Sequence, residues 1–98
     1  MFYCRWSSLK QLQELNLSGN NFQQLPPVIY KLSALKTLRM GGNRELKRIE
    51  EQILDLTKLE FLECNECLSL EYPPYAVCKQ GLFAVKKFFI DFKNASDL

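Results

Sequence analysis

Leucines and their apolar substitutes recur along this chain at fixed intervals, and polar residues fill the gaps. The first full stretch has Leu9, Leu12, Leu15 and Leu17, then Phe22, Leu25, Ile29 and Leu32, with Asn20 after the tight pair. Its template is L-x-x-L-x-L-x-x-N-x-L-x-x-L-P-x-x-I-x-x-L. A second stretch repeats the phase with Leu32, Leu35, Leu38, Met40 and Asn43, takes in one extra residue, and continues with Leu46 and Ile49. A third has Leu56, Leu59, Leu62 and Cys64, then Cys67 in the Asn slot, Leu70, Pro73-Pro74 and Val77. A period of this length, sustained three times, marks a stack of supersecondary units, none of which can bury its apolar face alone. Each stacked leucine contributes about 1.5–3 kcal/mol once buried.

The pattern divides the chain into repeats over residues 1–80 and a closing segment over 81–98. Residues 1–8 read as the tail of an earlier repeat, with Trp6 three before Leu9. Full repeats then span 9–31, 32–55 and 56–79. The first lacks a cap on its leading side, so the sequence reads as a fragment of a longer protein.

Within each repeat the alternation at Leu15/Leu17, Leu38/Met40 and Leu62/Cys64 predicts a short strand with those side chains inward. Asn20 and Asn43 are placed to satisfy backbone groups of adjacent turns. Leu25-Pro26-Pro27 starts the return path, because proline blocks further sheet pairing. Val28-Ile29-Tyr30 then covers the opposite side. In the second repeat Glu50 replaces proline, and IEEQILDL predicts a short helix. After Gln80-Gly81 the period stops. LFAVKKFFIDFKN predicts a helix with Leu82, Val85, Phe88, Phe89 and Phe92 on one side, packed on the third repeat. Phe83 and Ile90, seven apart, fall on another side and form a candidate docking patch.

If the strands pair in phase, the side chains between the inward leucines form rows on the opposite face. One row is Glu14, Thr37 and Phe61. The next is Asn16, Arg39 and Glu63. A flanking row is Gln13, Lys36 and Glu60. Parallel strands lie about 4.8 Å apart, so Arg39 reaches Glu63 and Lys36 reaches Glu60. Exposed pairs of that kind are worth about 0–1 kcal/mol each. The sharper reading is a mixed-charge surface with Phe61 as an aromatic anchor, an arrangement common at binding hot spots. Glu14, Asn16, Thr37, Arg39, Phe61 and Glu63 are therefore the candidate partner-binding residues.

Composition narrows the chemistry. The chain is 98 residues long and 47% hydrophobic, which suits one packed domain. Its formal net charge is +2, with both signs interspersed, so it lacks the clustered basic face of a nucleic-acid binder. No apolar run approaches the roughly 18 residues of a membrane span. The N-terminus MFYCRWSS lacks the apolar core of a signal peptide. There is no histidine, which removes the commonest general base and metal ligand. Cys64-x-x-Cys67 has no second pair to complete a zinc set, and the repeat phase accounts for Cys64 as an inward strand position and Cys67 as the Asn-slot position. Gly41-Gly42-Asn43-Arg44 falls where a repeat turns and lacks the spacing of a phosphate loop. Lys86, Lys87 and Lys93 flank the helix's apolar stripe, either as a solvated face or toward an acidic partner. No nucleophile–base pair or cofactor fingerprint is present, so no catalytic residue, cofactor or metal is assigned.

Taken together, the repeats resemble the intracellular leucine-rich repeat proteins, and the resemblance covers nearly the whole chain. The ending Pro73-Pro74-Tyr75-Ala76-Val77-Cys78-Lys79-Gln80-Gly81, continued by Ala84-Val85 and Phe88, looks like the PPxxVCxxGxxAIxxF closure of cytoplasmic members. These include the Roco proteins, whose repeats precede a GTPase domain, and related signalling and scaffold proteins. The departures are Cys67 for Asn, Glu50 for Pro, and the missing N-terminal cap. The resemblance implies an α/β leucine-rich repeat solenoid. Parallel strands would line the concave face, helical or irregular segments the convex face, and a C-terminal helix would cap the array. Secreted relatives close with a disulfide-knotted cap instead of an apolar helix, which implies a cytoplasmic, reducing setting here. The implied function is protein binding on the concave face, within a signalling or scaffold protein. The alternative is a regulatory segment of a Roco-type GTPase or kinase, acting within its own chain. The implied partner is protein, with no nucleic acid and no membrane. Self-association through the N-terminal edge or the cap helix is a further expected contact.

Overall fold

A computed structural model of the chain describes residues 11–96. The expected partial repeat at 1–8, with Cys4 and Trp6, lies outside the described residues, as do Leu9 and the last two positions. The expected sticky N-terminal edge therefore lies there too.

Among the described residues three strands form, each three residues long: β1 (Glu14–Asn16), β2 (Thr37–Arg39) and β3 (Phe61–Glu63). They pair in parallel in the order β1-β2-β3. Leu15, Leu38 and Leu62 stand in one register line. The strands stop where the chain turns. Gly19, Gly42 and Glu66 occupy equivalent turn positions and all take positive φ, at 74°, 78° and 65°. Glycine adopts that backbone freely, whereas a glutamate does so at a cost of about 1 kcal/mol or more.

The return paths are tight. Pro27–Lys31 and Glu51–Asp55 are 3-10 helices, closed by Ile29 N–H to the Pro26 carbonyl and Ile53 N–H to the Glu50 carbonyl, both at 3.0 Å. Each sends one isoleucine into the core. The helix expected from IEEQILDL is thus one 3-10 segment. A second parallel ladder, Gln24 to Arg48 to Tyr72, ties the return paths together.

The third return differs. It is an α-helical turn, α1 (Tyr75–Cys78), with Cys78 N–H reaching the Pro74 carbonyl at 3.1 Å. An α turn takes 3.6 residues where a 3-10 turn takes 3.0, so the inward position moves one residue along. Cys78 is buried in place of the expected Val77, which is half-buried.

The core is one cluster of the repeating leucines and their substitutes, including Leu17, Leu38, Met40, Leu59, Leu62, Cys64 and Cys67. Leu15, expected inside, is half-buried, since β1 has a strand on one side only among the described residues. Among the described residues Asn43 is the polar residue that is buried. Its amide donates to the Leu17 carbonyl of the preceding turn at 3.0 Å and to the Met40 carbonyl at 2.6 Å, and its oxygen accepts from Phe22 N–H at 3.4 Å. Asn20 donates to the Leu17 carbonyl at 2.8 Å but is exposed. Cys67 continues the series, its thiol donating to the Met40 carbonyl at 3.1 Å.

The last element, α2 (Leu82–Ser96), packs on α1, β3 and the second 3-10 helix. Val85 and Phe89 are buried, while Leu82 and Phe88 are partly so. Tyr72 meets Phe88, Phe89 and Phe92 edge-on at 5.4, 5.6 and 5.9 Å between ring centroids. Phe92, expected in the core stripe, reaches this cluster from the rim and stays 54% exposed.

Candidate protein-binding face

Residues of a strand alternate sides, so burying Leu38 and Leu62 turns Thr37, Arg39, Phe61 and Glu63 outward. The parallel register then builds the rows: Glu14 pairs with Thr37 and Thr37 with Phe61, while Asn16 pairs with Arg39 and Arg39 with Glu63. All six candidate residues thus lie on one face. The flanking row is joined by its backbone, with Lys36 N–H on the Gln13 carbonyl and Glu60 N–H on the Lys36 carbonyl, each at 2.8 Å.

The expected ion pairs do not form. Among the described residues the salt bridges are Arg48–Glu50 at 2.9 Å, Lys87–Asp91 at 3.0 Å and Lys93–Glu51 at 4.0 Å. Glu63 instead bridges the turn after β2 and its own turn. Its carboxylate accepts from Gly41 N–H at 3.2 Å and from Asn65 N–H at 2.9 Å. Two fixed backbone donors beside the turn outcompete an exposed guanidinium, which must give up side-chain freedom for a screened contact. Arg39 lies instead over the Phe61 ring, 5.0 Å from its centroid. Phe61 is 46% exposed. A cavity of about 220 Å³, lined by Glu14, Leu15, Asn16, Thr37 and Arg39, opens on the same face.

A larger cavity, about 450 Å³, lies on the return side. Gln24, Leu25, Pro27, Tyr30, Lys31, Glu50, Gln52 and Asp55 line it. Two of its polar side chains, Tyr30 and Glu50, are engaged within the chain. The Tyr30 hydroxyl accepts from Glu50 N–H at 3.0 Å, and Glu50 holds Arg48. Burial pushes the Tyr30 phenol up, keeping it neutral. Volume therefore favours the return side, whereas the arginine stacked on an exposed aromatic favours the strand face.

The docking patch expected on the last helix is exposed, with Phe83 at 80% and Ile90 at 49%. Lys87 and Lys93 find acids within the chain, Asp91 and Glu51. Cys64, Cys67 and Cys78 are free and buried. A side-chain hydrogen bond with Cys78, then burial, pushes the Cys64 thiol up, and burial does the same for Cys67. Among the described residues no group of three or more His, Cys, Asp or Glu is placed to hold a metal ion. No described helix is long and apolar enough to cross a membrane.

Residues 10–52 match the family of leucine-rich repeats, in two copies. The chain carries leucine-rich repeats. It is 34% identical over 70 residues to human vasorin, covering 70% of this chain and 10% of that protein. It is also 34% identical over 73 residues to the TMV resistance protein N of Nicotiana glutinosa, covering 74% of this chain and 6% of that protein. The chain thus spans a tenth or less of the length of these relatives. No solved structure matches it. Leucine-rich repeats are non-catalytic modules that generally bind proteins.

Within the leucine-rich repeat pattern, two features escaped sequence reasoning. One is the second ladder, where Arg48 lies 4.7 Å from the centroid of the Tyr72 ring. Its signal was the position just before Leu25, Ile49 and Pro73 in each repeat. The other is Leu68, 56% exposed in the turn after Cys67, which the template leaves unconstrained.

Proposed function

We propose that this chain is an arc of a leucine-rich repeat solenoid that binds a protein on its strand face. That face is the concave side of the solenoid, and Glu14, Asn16, Thr37, Arg39, Phe61 and Glu63 are its contact residues. The observation that carries the reading is the register, which gathers a half-exposed aromatic, a cation stacked on it and a polar surround onto one face. Aromatic and arginine anchors with polar rims dominate measured binding energies. The setting is a cytoplasmic signalling or scaffold protein of which these repeats are one part.

A second reading is a regulatory segment of a multidomain enzyme such as a Roco-type GTPase or kinase. The exposed Phe83 and Ile90 favour it, since a neighbouring domain of the same chain would cover them.

The test is affinity capture with the parent chain, comparing the Arg39→Glu, Phe61→Ala double variant with changes at Tyr30 and Gln52. The strand-face variant should lose its partner while its thermal melting stays close to that of the parent. Retention by that variant, with loss from the Tyr30 and Gln52 changes, would place the interface on the return side.

A further inference from the structure

The centre of the strand face holds a charge that its neighbours do not neutralise. Arg39 stands in a row with Glu63, and two facts keep that carboxylate away. Gly41 N–H and Asn65 N–H both donate to Glu63. Gly41 also has no side chain, and a Cβ there would collide with the Glu63 carboxylate as it now lies. The glycine is therefore what lets the Glu63 carboxylate lie against the turn after β2. Arg39 forms no salt bridge among the described residues. Its guanidinium sits over Phe61, 5.0 Å from the ring centroid, which positions it, and its N–H donors meet no acceptor among the described residues. The adjoining cavity of about 220 Å³ brings Glu14, Asn16 and Thr37 beside it. Lys36 adds a second positive charge from the flanking row, while Glu60 lies one strand further on.

Resting on the strand-face reading, we propose that Arg39 is the receptor for a carboxylate presented by the partner, from an Asp or Glu side chain in a protein segment. A carboxylate meets the open edge of a guanidinium through two parallel N–H···O bonds, the strongest fit that side chain offers. Asn16 and Thr37 supply neutral donors next to it. Glu14, at the far side of the cavity, favours a basic or hydrogen-bond-donating neighbour in the same segment. Glu63 acts as a positioning residue, since its withdrawal keeps Arg39 available.

The experiment is amide chemical-shift titration of the 98-residue chain with capped peptides, Ac-Gly-Leu-Asp-Leu-Gly-amide, its Asn and Lys counterparts, and an Asn peptide ending in a free carboxylate. The Asp peptide should move the Arg39 side-chain signal and the amides of Asn16 and Thr37. The Asn peptide should bind about tenfold more weakly, the loss of one charge-assisted bidentate contact. Arg39→Gln should remove the difference between Asp and Asn. Gly41→Ala should weaken the Asp peptide severalfold, because the displaced Glu63 carboxylate then competes for Arg39. Equal binding of Asp, Asn and Lys peptides on the strand face would overturn the carboxylate assignment and leave the strand-face reading standing. Selective binding of the free-terminus peptide would overturn the side-chain source. Shifts confined to the return side, or no shifts with any peptide, would overturn both.

Discussion

Asn43 shows how one side chain can join two turns of the chain. Buried, it serves two carbonyls and one N–H, one partner in each direction lying in the preceding turn. Replacing it with Ala leaves those backbone groups short of partners and should cost about 1–3 kcal/mol, read as a lower urea midpoint. An unchanged midpoint would contradict the bridging role. Glu66 presents the opposite case. It holds φ of 65° where the equivalent residues are glycines, and its N–H is fixed by the Tyr75 hydroxyl at 3.1 Å. Glu66→Gly should raise stability by about 0.5–1 kcal/mol, the relief of strain less the added freedom of the unfolded chain. The three buried thiols should resist alkylation in the folded chain and react only as fast as the chain opens, which mass spectrometry over time would follow. Sequence reasoning located these residues but not their partners. The template named Asn43 as a backbone ligand, yet it paired Arg39 with Glu63 by distance across the sheet alone. Local N–H donors decided the contest, and their geometry exists only once the turn at Gly41 and Gly42 has formed.

At the scale of elements, strand positions and register were legible because the leucine period fixes both. A slip of one residue would turn every leucine outward. The return paths were less legible. Their apolar residues are too few to distinguish a 3-10 turn from an α turn, and the third return shifted its inward residue from Val77 to Cys78. The helix phase of α2 was readable over most of its length, since Val85 and Phe89 are buried and Phe83 and Ile90 exposed. Phe92 fell short because the helix runs on past the surface it covers. Phe89→Ala should cost about 3–5 kcal/mol, since it opens a cavity against the Tyr72 ring. The Phe83→Ser, Ile90→Ser double variant should leave stability nearly unchanged. Sedimentation at rising concentration would then show whether that patch associates two copies, and a sharp fall in stability would instead place these side chains in the core.

Across the whole molecule, the proposed function rests on a division between two faces. The return side has the larger cavity, in which Tyr30 and Glu50 are tied up by the Tyr30–Glu50 and Arg48–Glu50 contacts. The strand face has the smaller cavity and holds Arg39 over the half-exposed Phe61 ring. Hydrophobic phase alone could reveal which residues share that face. It could not reveal which of them remain uncommitted, because that depends on side-chain competition. The most direct measurement is site-specific photocrosslinking, with benzoylphenylalanine placed in turn at Phe61, Tyr30 and Phe83 and the captured partner incubated with each variant. The strand-face reading predicts a covalent adduct from position 61 and none from position 30. An adduct from position 30 or 83, with none from 61, would contradict it.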